Sequence, residues 1–108
     1  MLPEQREDVE TQWLAFPLTI KKNAPFSRLE IVTFLEHNNI QTRPVFTGNI
    51  LKHPGFKNIP HRIAANKSPV TNEIFERGLI IGCHHGMNQE HLKKLERVFL
   101  SFLKNYSI

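Results

Sequence analysis

Arg43 stands in the run Ile40-Gln41-Thr42-Arg43-Pro44-Val45-Phe46-Thr47-Gly48-Asn49, where a strand-like stretch meets a glycine-broken loop. An arginine on a strand, followed by Phe46 and a Gly48-Asn49 turn, can hold a phosphate or carboxylate in fork geometry while exposed loop backbone approaches the ligand. The neighbourhood suits an anion. No Asp or Glu occurs between Glu36 and Glu73, whereas Arg43, Lys52, Lys57, Arg62 and Lys67 fall there with His53 and His61. A surface arginine on an edge strand is the plainer explanation, and the residue types alone leave both open.

Other reactive side chains are less well placed. Cys83, His84, His85 and His91 invite a metal reading, but adjacent strand residues point to opposite faces, and no second C-x-x-C or H-x-x-x-H element completes a tetrahedral set. Cys83 has histidines beside it but is flanked by apolar strand residues, so it reads as a small, buried and inert core residue rather than an activated thiol. Paired carboxylates, G-x-S-x-G and G-x-x-x-x-G-K-[ST] are all missing. No independent catalytic site is legible. Trp13 and Phe16 read as core anchors.

The elements that must position Arg43 follow from pattern and punctuation. Residues 1–12 are polar and aperiodic, a linker or tail, and residues 13–108 form one domain. Trp13–Ile20 reads as a strand confined to an edge by Pro17. Ser27 and Glu30 form an S-x-x-E capping box, Leu29, Ile31, Val32, Phe34 and Leu35 supply the apolar face of the helix behind it, and Asn38-Asn39 offers a left-handed stop. Ile40–Phe46 is a second strand, shortened by Pro44. Residues 47–67 form a long loop with room for a helical turn, of the kind that is usually functional. Ser68-Pro69 starts a second helix that ends near Glu76, with Gly78 after it. Leu79–Cys83 is a third strand, and Asn88 caps a last helix striped by Leu92, Leu95, Val98, Phe99, Phe102 and Leu103. The sum is an α+β fold, a three-stranded, mostly antiparallel sheet with helices on one face.

Composition narrows the function classes. The 108 residues are 40% hydrophobic and 22% charged, as in an ordinary globular domain, and no apolar run approaches a bilayer span. The amino terminus does not resemble a signal peptide, and a single cysteine fits a reducing cytoplasm. The net charge of +4 hides an asymmetry, because Glu4, Glu7, Asp8 and Glu10 against Arg6 give residues 1–10 a charge of −3 and leave +7 for the rest. A basic body attracts phosphates of every kind. Its cations are scattered rather than gathered on one helix, and no nucleic-acid recognition motif is evident.

From Trp13 to Phe102 the chain resembles the small C-terminal domain of the DegT/DnrJ/EryC1/StrS sugar aminotransferases and dehydratases, which share the fold of pyridoxal-phosphate-dependent aspartate aminotransferase. The matching landmarks are Phe16-Pro17-Leu18, Ala24-Pro25-Phe26-Ser27-Arg28, Thr42-Arg43, Phe46-x-Gly48-Asn49, Pro54-x-Phe56 and Ile81-Gly82-x-x-x-Gly86-Met87. Within the family, A-P-F-S-R and T-R-x-x-F-x-G-N look most like the nucleotide-hexulose 3-dehydratases of lipopolysaccharide O-antigen synthesis, of the CDP-4-keto-6-deoxyglucose 3-dehydratase type. The sequence departs from the family pattern at Gln41, where glycine is frequent, and at His84-His85, where an aromatic-proline pair is usual.

The resemblance implies a parent enzyme that uses pyridoxal or pyridoxamine phosphate (PLP or PMP) on a nucleotide sugar and works as a homodimer. It also implies that the cofactor-holding lysine or histidine, the aspartate at the pyridine nitrogen and any iron-sulfur cysteines belong to a large upstream domain, so this chain alone is inactive. Arg43, Phe46, Gly48 and Asn49 are then the residues that close over substrate, with Arg43 at its anion. An autonomous basic module for nucleotides or RNA is the competing class. An isolated small domain should also expose the apolar surface that packs on its partner.

Overall fold

A computed structural model describes residues 1–63 and 69–107. Three strands, β1 (Ala15–Thr19), β2 (Thr42–Arg43) and β3 (Gly78–Gly82), alternate with three helices, α1 (Arg28–His37), α2 (Pro69–Arg77) and α3 (Gln89–Lys104). The strand order is β1-β3-β2, and both pairings are antiparallel. The most continuous apolar strand, β3, therefore lies in the middle, where it donates and accepts on both sides. Pro17, which has no N–H to give, sits on the edge strand β1 opposite Ile80. The α+β architecture expected from the pattern is the one observed.

Strand alternation sorts the sheet into two faces. Leu79 and Ile81 of β3 pair with Leu18 and Phe16 of β1, and this face meets Ile31 and Leu35 of α1 and Val98 and Phe102 of α3 in one core. Leu35 is completely buried. Burying such a side chain contributes about 1.5–3 kcal/mol. Aromatic rings seal the lower end, with Phe26 edge-on to Phe102 at 4.9 Å and Tyr106 5.2 Å from Phe26. Nothing from α2 joins this core.

The helix ends follow the expected punctuation. Glu30 accepts from the Ser27 backbone and hydroxyl, both at 2.7 Å, while the Ser27 hydroxyl accepts from the Glu30 amide, which completes the capping box. Asn39 adopts φ 57° after α1, the left-handed conformation that asparagine tolerates. Asn88 caps α3. The expected cap Ser68, like Lys67 of the basic run, lies outside the described residues.

Several expectations need correction. The second strand spans only Thr42–Arg43, because Pro44 cannot donate to the ladder and the chain turns to a left-handed φ of 46° at Phe46. Leu29 points away from the core and is 73% exposed, since it falls one position off the Ile31–Leu35 stripe. Trp13 precedes β1 and is exposed, so it is no core anchor, whereas Phe16 does pack on the core. Cys83 follows the last residue of β3 and is half-buried rather than buried. Leu92 of the α3 stripe is exposed as well, at the first turn. Among the described residues, no helix is long and apolar enough to cross a membrane and no three His, Cys, Asp or Glu side chains converge on a metal-sized site.

Candidate functional site

Thr42 is the hinge on which Arg43 is placed. It is the buried polar residue of the sheet, and Glu36 on α1 satisfies it twice, accepting from its amide at 2.6 Å and its hydroxyl at 2.7 Å. Those bonds, the hydroxyl first, hold the Glu36 carboxyl below its usual range, and the positive charge of Arg43 adds to the effect. With Thr42 fixed inward, alternation turns Arg43 outward, where its guanidinium donates to the Thr42 carbonyl at 3.0 Å. Arg43 lines a cleft of about 490 Å³ shared with the end of β3 and the start of α3.

The other three expected site residues go elsewhere. Phe46 is 80% exposed and held at a positive φ, a conformation that costs a bulky residue free energy. Gly48, at φ +58°, lies so close to α2 that an added Cβ would sit 2.8 Å from the Phe75 ring and 2.9 Å from its Cα. Glycine is required there on both counts. Asn49 caps a short 3-10 turn, Ile50–Lys52, through the Leu51 amide, and its Nδ2 donates to Asn72 of α2 at 2.6 Å. The four residues do not form one pocket. Arg43, on β2, and Phe46, in the loop after it, are exposed, whereas Gly48 and Asn49 clamp that loop to α2.

Further contacts extend the clamp. Lys52 pairs with Glu76 at 2.7 Å and lies 5.4 Å over the Phe75 ring, and His53 bonds the Thr47 carbonyl at 2.7 Å. Glu76 is held below its usual range by that lysine. The acid-free run is thus partly neutralised from outside. Arg28, the last residue of the A-P-F-S-R landmark, donates to the carbonyls of Phe75 at 2.6 Å and Gly78 at 3.3 Å, where the helix dipole is negative. Its signal was the A-P-F-S-R run. Ile50, Phe56, Ile59, Ile63 and Val70 are exposed, as Phe46 is.

A pyridoxal phosphate site needs an enclosed amine or imidazole at the ring aldehyde and a carboxylate at the pyridine nitrogen. The Arg43 cleft contains Lys94 but no Asp or Glu among its lining residues. The residues that line this cleft do not supply both groups.

The described residues thus form a two-layer α+β unit with an exposed arginine at the edge of its sheet. The sequence profile of the DegT/DnrJ/EryC1/StrS aminotransferase family matches residues 1–99, and the chain belongs to that family. It is 34% identical over 101 residues to the lipopolysaccharide biosynthesis protein RfbH of Salmonella typhimurium, covering 94% of this chain and 23% of that protein. It is 39% identical over 85 residues to the dTDP-4-dehydro-2,6-dideoxy-D-glucose 3-dehydratase of Saccharopolyspora spinosa, covering 76% and 18% respectively. The fold superposes on a crystal structure of GDP-4-keto-6-deoxymannose-3-dehydratase with a trapped PLP-glutamate geminal diamine, at a TM-score of 0.75 and 28% identity, over 90% of this chain and 25% of that one. The chain spans about a quarter or less of each of these relatives.

Proposed function

We propose that this chain is the substrate-closing small domain of a pyridoxal-phosphate-dependent nucleotide-sugar enzyme, a 3-dehydratase or aminotransferase of deoxysugar and O-antigen synthesis. The observation that carries the reading is the family match over residues 1–99 together with relatives several times longer, among them sugar 3-dehydratases. In this account residues 1–12 link to a large upstream domain that supplies the cofactor site, and residues 13–108 close over substrate. The cofactor, where it is bound, supplies an electron sink for chemistry at the sugar carbon next to the ketone.

This chain's own part is binding and closure. Arg43 neutralises an anionic group of the nucleotide sugar, with its backbone fixed through Thr42 and Glu36. Phe46 covers the sugar and keeps water away. Gly48 and Asn49 hold that loop on α2, so the lid moves with the domain instead of flexing alone. The exposed Phe46, Ile50, Phe56, Ile59, Ile63 and Val70 suit an apolar contact with the large domain or with a second subunit.

The test is direct. Purified chain mixed with pyridoxal phosphate should give no visible absorbance band from a lysine-bound cofactor and no turnover of a nucleotide-linked 4-keto-6-deoxysugar. DNA preceding the Met1 codon should encode a large cofactor domain in frame. A stop codon and promoter immediately upstream, or turnover by the chain alone, would overturn the proposal.

A further inference from the structure

We propose that the outer edge of β1 and the apolar cleft beside it form a docking site for an extended segment, and that residues 1–3 of this chain occupy it as a strap. Met1 and Thr19 exchange two backbone bonds. The Met1 amino group donates to the Thr19 carbonyl at 2.5 Å, and the Thr19 amide donates to the Met1 carbonyl at 3.1 Å. A reciprocal pair of this kind is one rung of an antiparallel ladder. A backbone amide at position 1 would donate the same bond, so the strap does not depend on a free amino group.

The residues on both sides fit that rung and end it. Ile20 donates inward to the Arg77 carbonyl, so alternation along β1 turns Ala15, Pro17 and Thr19 to the free edge. Pro17 has no N–H to offer there. Past the first residue of the strand, Thr19 is therefore the outward donor, and Met1 takes it. The next antiparallel rung would set Pro3 against Pro17, and two prolines can exchange no bond. Pairing stops after one rung. Even so, Pro3 is half-buried while the other residues of 1–14 are exposed. A free donor on a sheet edge invites pairing with another chain, and the strap covers this one.

The Met1 side chain has an apolar wall to meet. It lines a cleft of about 480 Å³ together with Leu18, Phe26, Ile31, Phe99 and Leu103, drawn from β1, α1, α3 and the turn before α1. Lys21 is the charged residue of that cleft. An unbranched thioether adapts to such an irregular apolar surface. Residues 2–14 then form a loop tied to β1 at both ends. One consequence rests on the function proposed above: a chain arriving from a large domain would meet this domain at the outer edge of β1, before the loop, and not at Ala15.

The experiment is amide hydrogen exchange by NMR on the full chain at two concentrations, with Pro3→Ala as the variant and Ile20, bonded within the sheet, as the folding control. Relative to its intrinsic rate, the Thr19 amide should exchange about tenfold more slowly than that of Ala15, as one added backbone bond implies. Dilution should leave this difference unchanged. In Pro3→Ala the new amide lies opposite the Pro17 carbonyl, so it should be protected about tenfold more than the Leu2 amide, which faces away from β1. A Thr19 amide as fast as that of Ala15, or an amide at position 3 no slower than that of Leu2, would overturn the strap. Protection at Thr19 that falls on dilution would place a second copy's Met1 on the edge and overturn it as well. Since no sugar, cofactor or upstream chain enters these readouts, failure here leaves the proposed function standing, and failure of that function leaves the strap.

Discussion

At the scale of residues, the loop after β2 divides its work between side chains that are held and side chains that are shown. Gly48 and Phe46 both adopt positive φ, and at Gly48 a close neighbour also leaves no room for a side chain. Gly48→Ala should therefore destabilise the chain by about 1–2 kcal/mol from the left-handed backbone alone, with the Phe75 clash adding to it. Phe46→Gly removes a strained, solvent-exposed ring, and its melting temperature should stay near that of the wild type. Thermal denaturation of the two variants side by side separates a clamp residue from one that the fold does not need. A larger loss for Phe46→Gly than for Gly48→Ala would reverse the assignment. Asn49→Ala, which loses the turn cap and the Asn72 bond, should cost about 1 kcal/mol.

At the scale of elements, β2 is only two residues long, and its position depends on α1 through the Glu36–Thr42 bonds. A carboxyl whose value falls on folding contributes stability that is present above its unfolded value, close to 4.5 for Glu36, and is lost as pH drops through the lower folded value. The stability gap between wild type and Glu36→Gln should be constant above about pH 5.5 and close in more acid solution. Denaturant melts across that range would show it, and a gap that widens in acid would contradict the assignment. Helix ends and the α3 stripe were legible in the sequence because caps and a 3.6-residue period are local signals, as Ser27, Asn39 and Asn88 illustrate. The extent of β2 was not, since strand length depends on a partner distant in sequence. Nor was the clamp, because Gly48 against Phe75 and Asn49 against Asn72 are contacts that no local pattern encodes. Arg43 was legible as an exposed cation, but its cleft was not, because Lys94 and His91 arrive from a helix some fifty residues away.

At the scale of the whole molecule, one small core carries the sheet, α1 and α3, while the loop between residues 47 and 63 and the start of α2 leave apolar side chains exposed. Such a surface on an isolated chain favours self-association. Sedimentation at rising concentration should show dimers or larger species, and a double Phe46→Ser and Ile50→Ser variant should shift the chain toward monomer. Persistence of the same species in that variant would place the contact elsewhere.

The central claim is that this chain closes a site whose chemistry is supplied by a larger protein. The most direct measurement is turnover of a nucleotide-linked 4-keto-6-deoxysugar by the full reading frame that contains these residues, compared with the same protein lacking residues 1–108 and with residues 1–108 alone. The full protein should turn over, the truncated one should bind pyridoxal phosphate but not turn over, and the chain alone should do neither. Unchanged turnover after removal of residues 1–108, or turnover by those residues alone, would contradict the account.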